Sequence, residues 1–507
     1  MKFKQLIVST FFMASSMVCA QTQTPPIDID FSALAENIKQ TKALSGLPSG
    51  TAIAVIKGDK IIYQGNFGYA NIAKQIKVTD KTPFYIASAT KPFFALNTLI
   101  DVNAKDFKQS LSLAQMFPSL DIADIDEHQV TLKHLLTHTS TINNIPLVFA
   151  TAFSGVHDKQ SLKQLVLNGS VKTEKKLGEF NYTNVGYNIF SVFADEYFHM
   201  PWQQRLQQQL FTPLKMSLTS AQMSTFTAKH VAVAKPYSLM VPTQPDALYL
   251  EKVDQTMHAA GGMVSTANDL ARFLIAQLNE GVVEQQQVFP AEIIKQSQQK
   301  QVTTDAKYLD FKRDGYAWGW YTGNYKGQRM LHHFGGFDGA HAHMSFIPEQ
   351  KIGLVVLNNE DFLSARMTSI IADFVYGSLL QDADTKQRVD QRFSALNQKL
   401  ANIDQMLASQ AKKIAARKMN LSLPMSAYQG VYSHPLLGKI RVNVEATGQL
   451  HLRWGVLDTT ASGFGKVDQI RVTFMPTSGE VIKFEATDSV KNLTYNGMMF
   501  AKLNNEL

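Results

Sequence analysis

Two short apolar runs near the start of the chain, 51–57 and 60–63, flank the pair Gly58-Asp59 and predict a β-hairpin. Residues 100–260 show helical spacing broken by Pro, Gly and Asn, which predicts a mainly helical lobe. Strand patterns return after this lobe, and a helix is expected from about Leu363 to Leu380. The predicted strands are 330–334, 340–347 and 352–357. This order predicts an α+β fold whose first and last strands share one sheet.

The last quarter of the chain shows two further patterns. Apolar residues recur every three or four positions from Val389 to Leu407 and again at Ile414, which predicts one long helix with a narrow apolar seam. From Tyr428 onward, short alternating runs predict a small all-β sandwich or barrel. We therefore expect an α+β main domain over 21–382, a helical linker over 383–424 and an accessory β domain over 425–507. The linker helix is expected to lie on the preceding domain, with self-association or binding to acidic lipid or glycan as alternatives.

The first twenty residues have a short basic start, an apolar stretch and small residues before Ala20, the pattern of a secretory signal peptide. A lipoprotein anchored at Cys19 is the alternative. Cleavage after Ala20 would remove the only cysteine, so we expect no disulfide or thiolate metal site. No later stretch reaches the roughly 18 apolar residues of a membrane span. The sequence predicts a periplasmic or secreted protein.

Composition limits the partners of the protein. The chain has 507 residues, of which 45% are hydrophobic. This length exceeds what a single hydrophobic core usually supports, so two or more domains are expected. Its net charge of +7 is concentrated in the linker segment. The basic residues there are Lys386, Arg388, Arg392, Lys399, Lys412, Lys413, Arg417 and Lys418. Because they share one segment of a predicted exported protein, we do not expect nucleic-acid binding.

Candidate chemistry is concentrated around Ser88 and Lys91, where an apolar strand-like run turns into a helix. Pro92 is tolerated in a first helical turn, so the helix should begin close to Ser88 and place the hydroxyl near its N-terminus. Residues three apart share a helix face, so the Lys91 amine can activate the hydroxyl. Ser-x-x-Lys also occurs at 297–300 and 409–412, in polar stretches that predict solvated helix faces.

Two more motifs follow in the chain, Tyr182-Thr-Asn184 and His333-Phe-Gly335-Gly336. With Ser88-x-x-Lys91, 135–140 and 261–266, they resemble the serine β-lactamase and penicillin-recognising superfamily. Within it they are most similar to the class C β-lactamase-like esterases and D-aminopeptidases. The resemblance spans about 50–358, with all motifs in family order; 69–71 also fits Tyr-x-Asn but precedes Ser88.

The resemblance implies a role for each matched residue. Ser88 would be the nucleophile, Lys91 its neighbouring amine and Tyr182 a proton shuttle. The oxyanion hole would be formed by the N–H groups of Ser88 and Gly336, and substrate would be bound by Asn184, His333 and Gly335. A cationic Lys91 would bring the pKa of Tyr182 toward neutrality, whereas a neutral Lys91 would itself be the base; the sequence leaves both open. No metal or cofactor is required.

The chain departs from the family pattern at two positions. Thr141 replaces a glycine, which leaves the shape of that loop open. His333 replaces the lysine of Lys-Thr-Gly, so a largely neutral group would face a substrate carboxylate at pH 7 and gain charge toward pH 6. We therefore expect small esters or peptides containing D-residues as substrates in preference to β-lactams.

Other functions remain open on the sequence alone. A penicillin-binding or peptidoglycan-sensing protein that acylates slowly and a true β-lactamase share the same motifs. A zinc hydrolase would instead use histidines such as His341 and His343, which should point to one face of a strand, with His332 and His333 nearby.

Overall fold

The computed structural model describes residues 29–241 and 244–503. The predicted signal peptide, residues 1–20, lies outside this part of the chain. Within the described residues, no helix combines the length and the apolar character that crossing a membrane requires.

The strands of the first 360 residues fall into one large sheet and several short pairs. Before the helical lobe they are β1 Thr51–Lys57, β2 Lys60–Phe67, β3 Tyr69–Asn71, β4 Ile76–Lys77 and β5 Phe84–Tyr85. Within the lobe they are β6 Ile142–Asn143, β7 Val171–Lys172, β8 Val264–Ser265, β9 Val282–Val283 and β10 Gln286–Gln287. After it they are β11 Val302–Tyr308, β12 Phe311–Tyr316, β13 Tyr321–Tyr325, β14 Gln328–Phe337, β15 Ala340–Ile347 and β16 Ile352–Asn358.

The large sheet has the strand order β11-β12-β13-β14-β15-β16-β1-β2 and is antiparallel throughout. The predicted hairpin forms its β1–β2 edge, and β1 pairs with β16 from Thr51 opposite Asn358 to Lys57 opposite Ile352. The first and last strands therefore share one sheet, and the α+β prediction is confirmed. The strand β14, which carries the His-x-Gly motif, lies inside this sheet.

Helices cover both faces of the sheet and build the lobe. They are α1 Ser32–Leu44, α2 Lys91–Asn103, α3 Leu113–Met116, α4 Leu132–Leu136, α5 Ile145–Phe149, α6 Lys159–Gly169, α7 Val185–Tyr197, α8 Trp202–Leu206, α9 Met223–Ala228, α10 Ala267–Leu278, α11 Ala291–Gln298 and α12 Phe362–Leu379. Along β1, Ala52 and Ala54 pack into the core shared with the helical lobe, while Ile53 and Val55 pack into the core under α1 and α12. The sheet is thus buried on both faces, which explains the continuous apolar run of β1.

The predicted linker helix is two helices, α13 Thr385–Leu400 and α14 Ile403–Ala415. The prediction of one long helix was wrong because Ala401 and Asn402 interrupt the helix between Leu400 and Ile403. The seam residues of α13 are buried in the core that α1 and α12 also line. This placement agrees with a connecting segment laid on the preceding domain, and it leaves the α13 seam unavailable for contacts with a second molecule.

The all-β tail forms one antiparallel sheet of nine strands within the described residues. The strands are β17 Gly430–His434, β18 Gly438–Val444, β19 Leu450–Trp454, β20 Leu457–Thr460, β21 Ser462–Gly463, β22 Gln469–Val472, β23 Glu480–Ala486, β24 Val490–Tyr495 and β25 Met498–Lys502. The two edge strands, β20 and β21, are separated by Ala461 alone, so the sheet curls on itself like a barrel.

This barrel packs directly on the helical lobe. The ring of Phe149 in α5 stacks on Trp454 at 6.0 Å between centroids and meets the edge of Tyr495 at 5.4 Å. The N–H of Val456 donates to the carbonyl of Ser154 at 3.0 Å. Aromatic residues of both regions belong to one continuous core, so the barrel and the lobe stabilise each other.

Candidate active site

Ser88 lies in a 3₁₀ turn, Ala87–Thr90, that leads directly into α2. The α-helix begins at Lys91 with Pro92 in its first turn, as the sequence predicted. Ala87 has a φ of 44°, in the left-handed region, which costs a residue with a Cβ about 1 kcal/mol or more. The Thr90 hydroxyl donates to the carbonyl of Ala87 at 2.7 Å and helps to hold the turn.

The Lys91 amine is the centre of the site. Its Nζ lies 3.0 Å from Ser88 Oγ, 2.8 Å from Asn184 Oδ1 and 2.8 Å from the carbonyl oxygen of Ala260. The side chain is fully buried, and this burial lowers the pKa of Lys91 well below its usual range. The amine therefore favours its neutral form.

Tyr182 lies across the cleft from the nucleophile. The residue is 38% exposed, its hydroxyl hydrogen-bonds with Ser88, and Lys91 Nζ lies 4.8 Å from the ring centroid. Burial of the hydroxyl and the neighbouring Tyr321 raise the pKa of Tyr182, and the bond with Ser88 opposes them only in part. Of the two protonation schemes that the sequence left open, these shifts favour the one with a neutral lysine and a protonated tyrosine.

Asn184 stands immediately before α7, at its N-cap position. Its Oδ1 accepts from Lys91, while its Nδ2 donates to no partner among the described residues. The amide is therefore oriented by the lysine, and its N–H groups remain available for a substrate oxygen.

His333 faces the tyrosines of the cleft, but its side chain is buried. The side chain is 1% exposed; Nδ1–H donates to the carbonyl of Phe334 at 2.8 Å, and Nε2 lies 3.3 Å from the Tyr316 hydroxyl. Burial lowers the pKa of His333 well below its usual value. The expectation that His333 gains charge toward pH 6 is therefore wrong, because desolvation keeps the ring neutral.

The two glycines of β14 have different surroundings. A Cβ on Gly335 would lie 1.9 Å from the carbonyl oxygen of Ile86 and 3.0 Å from the amide nitrogen of Ala89. Only glycine lets the strand approach the nucleophile turn this closely. Gly336 is exposed, with open space where a Cβ would stand, and it directly follows the glycine that contacts the nucleophile turn.

Two side chains to which the sequence analysis gave no role also border the site. The ring of His138 is buried 4.5 Å from that of Tyr182, and its Nδ1 accepts the N–H of Thr183 at 3.3 Å. The guanidinium of Arg313 lies 3.5 Å from the ring centroid of Tyr321, and its charge lowers the pKa of Tyr182. His138 stands inside one of the matched motifs, whereas Arg313 lies on β12 with no motif around it.

The Thr141 departure is accommodated by backbone and side-chain geometry. Thr141 has a φ of 60°, the left-handed conformation that favours glycine, and its hydroxyl contacts the carbonyl of Lys175 and the Thr173 hydroxyl. These contacts offset part of the strain, so the loop keeps a turn typical of glycine without the glycine.

The four clustered histidines are divided between two faces of the sheet. His333 faces the tyrosines of the cleft, whereas His332, His341 and His343 pack around Phe334 and Phe311. His341 and His343 do share a face, as predicted. Within the described part of the chain, no three His, Cys, Asp or Glu side chains are grouped to hold a metal ion.

The second Ser-x-x-Lys is not the solvated helix face that the sequence suggested. Ser297 is fully buried at the end of α11, where its hydroxyl lies within hydrogen-bond distance of the carbonyl of Ile294 at 2.7 Å and of Gln277 Oε1 at 3.3 Å. The solvated helix face was predicted from the polar composition of this stretch, which does not reveal that the Ser297 hydroxyl is buried and hydrogen-bonded. Ser409, in α14, is exposed as predicted.

An α+β domain with a Ser-x-x-Lys turn facing a Tyr-x-Asn turn and a glycine-bearing strand defines the serine β-lactamase and penicillin-recognising class. The family model described as Beta-lactamase matches residues 34–372, and the chain belongs to that family. The structure is similar to that of the octameric penicillin-binding protein homologue from Pyrococcus abyssi, with a TM-score of 0.60 and 20% identity, over 94% of this chain and 100% of that one.

Two relatives illustrate the range of the family. Protein flp from Staphylococcus aureus (strain MW2) is 23% identical over 311 residues, which are 61% of this chain and 59% of that protein. The unguisins hydrolase ungD from Aspergillus violaceofuscus (strain CBS 115571) is 24% identical over 462 residues, 84% of this chain and 78% of that protein. The second match extends beyond the residues that the family model covers.

Proposed function

We propose that the protein is an exported serine hydrolase that forms an acyl-enzyme on Ser88 and cleaves small esters or amide bonds of peptides containing D-residues. The observation that carries this proposal is the set of partners of Lys91. Asn184 Oδ1 and the carbonyl of Ala260 can only accept hydrogen bonds, so the two N–H groups of a neutral amine satisfy both. The remaining lone pair then faces the hydroxyl of Ser88 at 3.0 Å.

In the acylation step, Lys91 takes the proton of Ser88 as the oxygen attacks the substrate carbonyl. The negative charge that develops on the carbonyl oxygen is stabilised by the N–H groups of Ser88 and Gly336. Tyr182 then donates its proton to the leaving atom, a role that suits a hydroxyl whose pKa is raised. Proton transfer from Lys91 returns Tyr182 to its neutral state, and water cleaves the ester on Ser88 by the reverse sequence.

The geometry of His333 favours esters and D-residue amides over β-lactams. Because His333 is buried, neutral and bonded to Phe334, it offers no permanent cation to a β-lactam carboxylate. A lactamase would need that charge to come from another residue. A slow-acylating penicillin-binding or peptidoglycan-sensing protein uses the same acylation chemistry and differs only in deacylation.

A substrate panel tests this proposal. Short-chain p-nitrophenyl esters, D-aminoacyl p-nitroanilides and a chromogenic cephalosporin are assayed at pH 7.5, and the acyl-enzyme is followed by intact mass after rapid mixing. We expect multiple turnovers on the esters or the D-aminoacyl compounds and weak turnover of the cephalosporin. A stable acyl-enzyme on every substrate would identify a sensor, and efficient cephalosporin hydrolysis would identify a lactamase.

A further inference from the structure

A cavity of about 540 Å³ adjoins the candidate site, and its walls include the two chain segments that frame Ser88. Tyr85 stands three residues before Ser88, and Phe337 follows Gly336 in β14. Their rings meet edge to face at 5.6 Å. None of the proposed catalytic and oxyanion-hole residues, Ser88, Lys91, Tyr182, Asn184 and Gly336, is among the residues that line the cavity. The cavity is therefore separate from the reacting groups, and it is connected to them through Tyr85 and Phe337, which belong to the chain segments that carry Ser88 and Gly336.

Lys252 is the buried cation of this cavity. Its side chain is only 9% exposed, and Nζ lies 3.7 Å from the ring centroid of Phe337 and 5.2 Å from that of Tyr85. A single hydrogen bond, to the carbonyl of Ala152 at 2.6 Å, holds the amine among the described residues. Two of the three N–H groups of the ammonium thus have no acceptor within 29–241 and 244–503, whereas each polar contact of the Lys91 amine has a partner.

The carboxylates near Lys252 are already bonded to other groups. Asp338 accepts from the N–H of Thr477 at 3.1 Å and from its hydroxyl at 2.6 Å, both in the C-terminal barrel. Glu251 is paired with Lys235 at 2.6 Å. No ion pair joins Lys252 to a described carboxylate, although the charge of Asp338 supports its protonation. Thr477 of the barrel thus engages the Asp338 carboxylate, and Lys252 forms no salt bridge with a described carboxylate.

The position of the cavity indicates which part of a substrate would enter it. The group that protonates the leaving atom must lie beside it, so the leaving group occupies the side of Tyr182 and Lys91. The acyl group then extends away from these residues, past Gly336 toward Phe337. We propose that the cavity binds the acyl portion of the substrate and that Lys252 recognises a carboxylate on that acyl portion. This inference rests on the proposed function and adds a substrate class to it.

Two matched esters test this inference. The p-nitrophenyl glutarate half-ester and p-nitrophenyl pentanoate share the leaving group and differ by a carboxylate in place of a methyl group. We expect the wild-type kcat/KM to be about tenfold higher for the glutaryl ester, the size of one charge-assisted hydrogen bond. Lys252→Met should abolish this preference through KM, and Lys252→Arg should retain part of it. Because the pentanoyl group has no carboxylate, the rate on the pentanoyl ester measures the reaction at Ser88 without any contribution from carboxylate binding at Lys252.

Lys235→Met is the matched control, because Lys235 lines the same cavity but is already paired with Glu251. It should leave the glutaryl-to-pentanoyl ratio within about twofold of wild type. The inference is overturned if folded Lys252→Met keeps the wild-type ratio, or if wild type shows no preference while hydrolysing the pentanoyl ester. Absence of turnover on both esters, together with absence of a covalent adduct at Ser88, would overturn the proposed function itself.

Discussion

Two buried lysines lie beside the nucleophile turn, Lys91 against Asn184 and Tyr182, and Lys252 against Tyr85 and Phe337. Each donates to a backbone carbonyl, and burial lowers the pKa of both, that of Lys252 to about 7. They differ in their remaining contacts. Lys91 is fully coordinated by protein groups, including Ser88, whereas Lys252 has rings around it and no further acceptor in the part of the chain that the structure describes.

This difference shows that burial alone does not define the role of a lysine. Three polar partners fix the Lys91 amine in one position, which suits a group that must move a proton over a short distance. A single partner and an adjoining cavity leave Lys252 able to bind an anion that the protein does not supply. Desolvation sets the protonation of each lysine, but the contacts decide between proton transfer and substrate recognition.

The largest expected effect is the contrast between the two lysine-to-methionine variants on a neutral ester. Lys91→Met removes the proposed base and should lower kcat/KM for p-nitrophenyl pentanoate by about 1,000-fold. Lys252→Met should change that value by less than about threefold, because the pentanoyl group has no carboxylate. Similar losses in both variants, measured on proteins with native circular dichroism, would remove the distinction between the two sites.

Tyr182→Phe sharpens the comparison on the catalytic side. Loss of the hydroxyl should lower kcat/KM by about 100-fold on an amide, whose leaving nitrogen needs a proton. The loss should be smaller on a p-nitrophenyl ester, whose leaving group departs as an anion. An equal loss on both substrates would indicate that Tyr182 acts before departure of the leaving group, as the base.

The two lysines should also give pH profiles of opposite direction. The pKa of Lys91 is depressed, so its neutral form already dominates at pH values where an ordinary lysine is charged. The rate on the pentanoyl ester should therefore rise with pH and reach its plateau well below an ordinary lysine pKa of about 10.4. A rate that still rises steeply near that pKa would contradict a neutral Lys91.

Lys252 should instead lose its effect as pH rises through about 7, the pKa at which it loses its proton. The glutaryl-to-pentanoyl ratio should fall over that range. Of the titratable groups around Lys252, burial keeps His258 neutral by lowering its pKa and Tyr85 neutral by raising its pKa. The charged groups around it are Asp338, Asp254 and the Glu251–Lys235 pair. A ratio independent of pH between 6 and 8 would assign the preference to another group.

The smallest expected effect concerns the other Ser-x-x-Lys sequences. Ser297→Ala removes a buried hydroxyl that hydrogen-bonds within α11, so unfolding should become easier by about 1 kcal/mol, with a Tm lower by about 2 °C. Activity per folded molecule should not change. Ser409→Ala, at an exposed position, should change neither quantity. Loss of activity in folded Ser297→Ala would show that Ser297 contributes to catalysis and that its role is not only structural.

The sequence was sufficient where a motif and a periodicity coincide. The Ser88 turn, β1, β15 and the pairing of β1 with β16 follow from short-range patterns and motif order. It failed where long-range packing decides. Ser297 was expected in solvent because its neighbours in sequence are polar, and His333 was expected to gain charge toward pH 6, which its burial opposes.

Other features were beyond any local pattern. Lys252 follows Glu251 in a segment without regular spacing, and its role depends on Phe337 and on Thr477, which belong to distant parts of the chain. The break at Ala401 and Asn402 likewise leaves the apolar seam intact and is therefore invisible in the periodicity. The role of Lys252 and the position of the helix break are therefore determined by tertiary contacts and cannot be inferred from residue type.

Covalent labelling at Ser88 tests the central claim most directly. The wild-type protein is treated with a fluorophosphonate and analysed by intact mass and by mass spectrometry of its peptides, with Ser88→Ala, Ser297→Ala and Ser409→Ala treated in parallel. We predict one adduct on the peptide that contains Ser88 in wild type and in the other two serine variants, and none in folded Ser88→Ala. An adduct that persists in Ser88→Ala would contradict the assignment of Ser88 as the nucleophile.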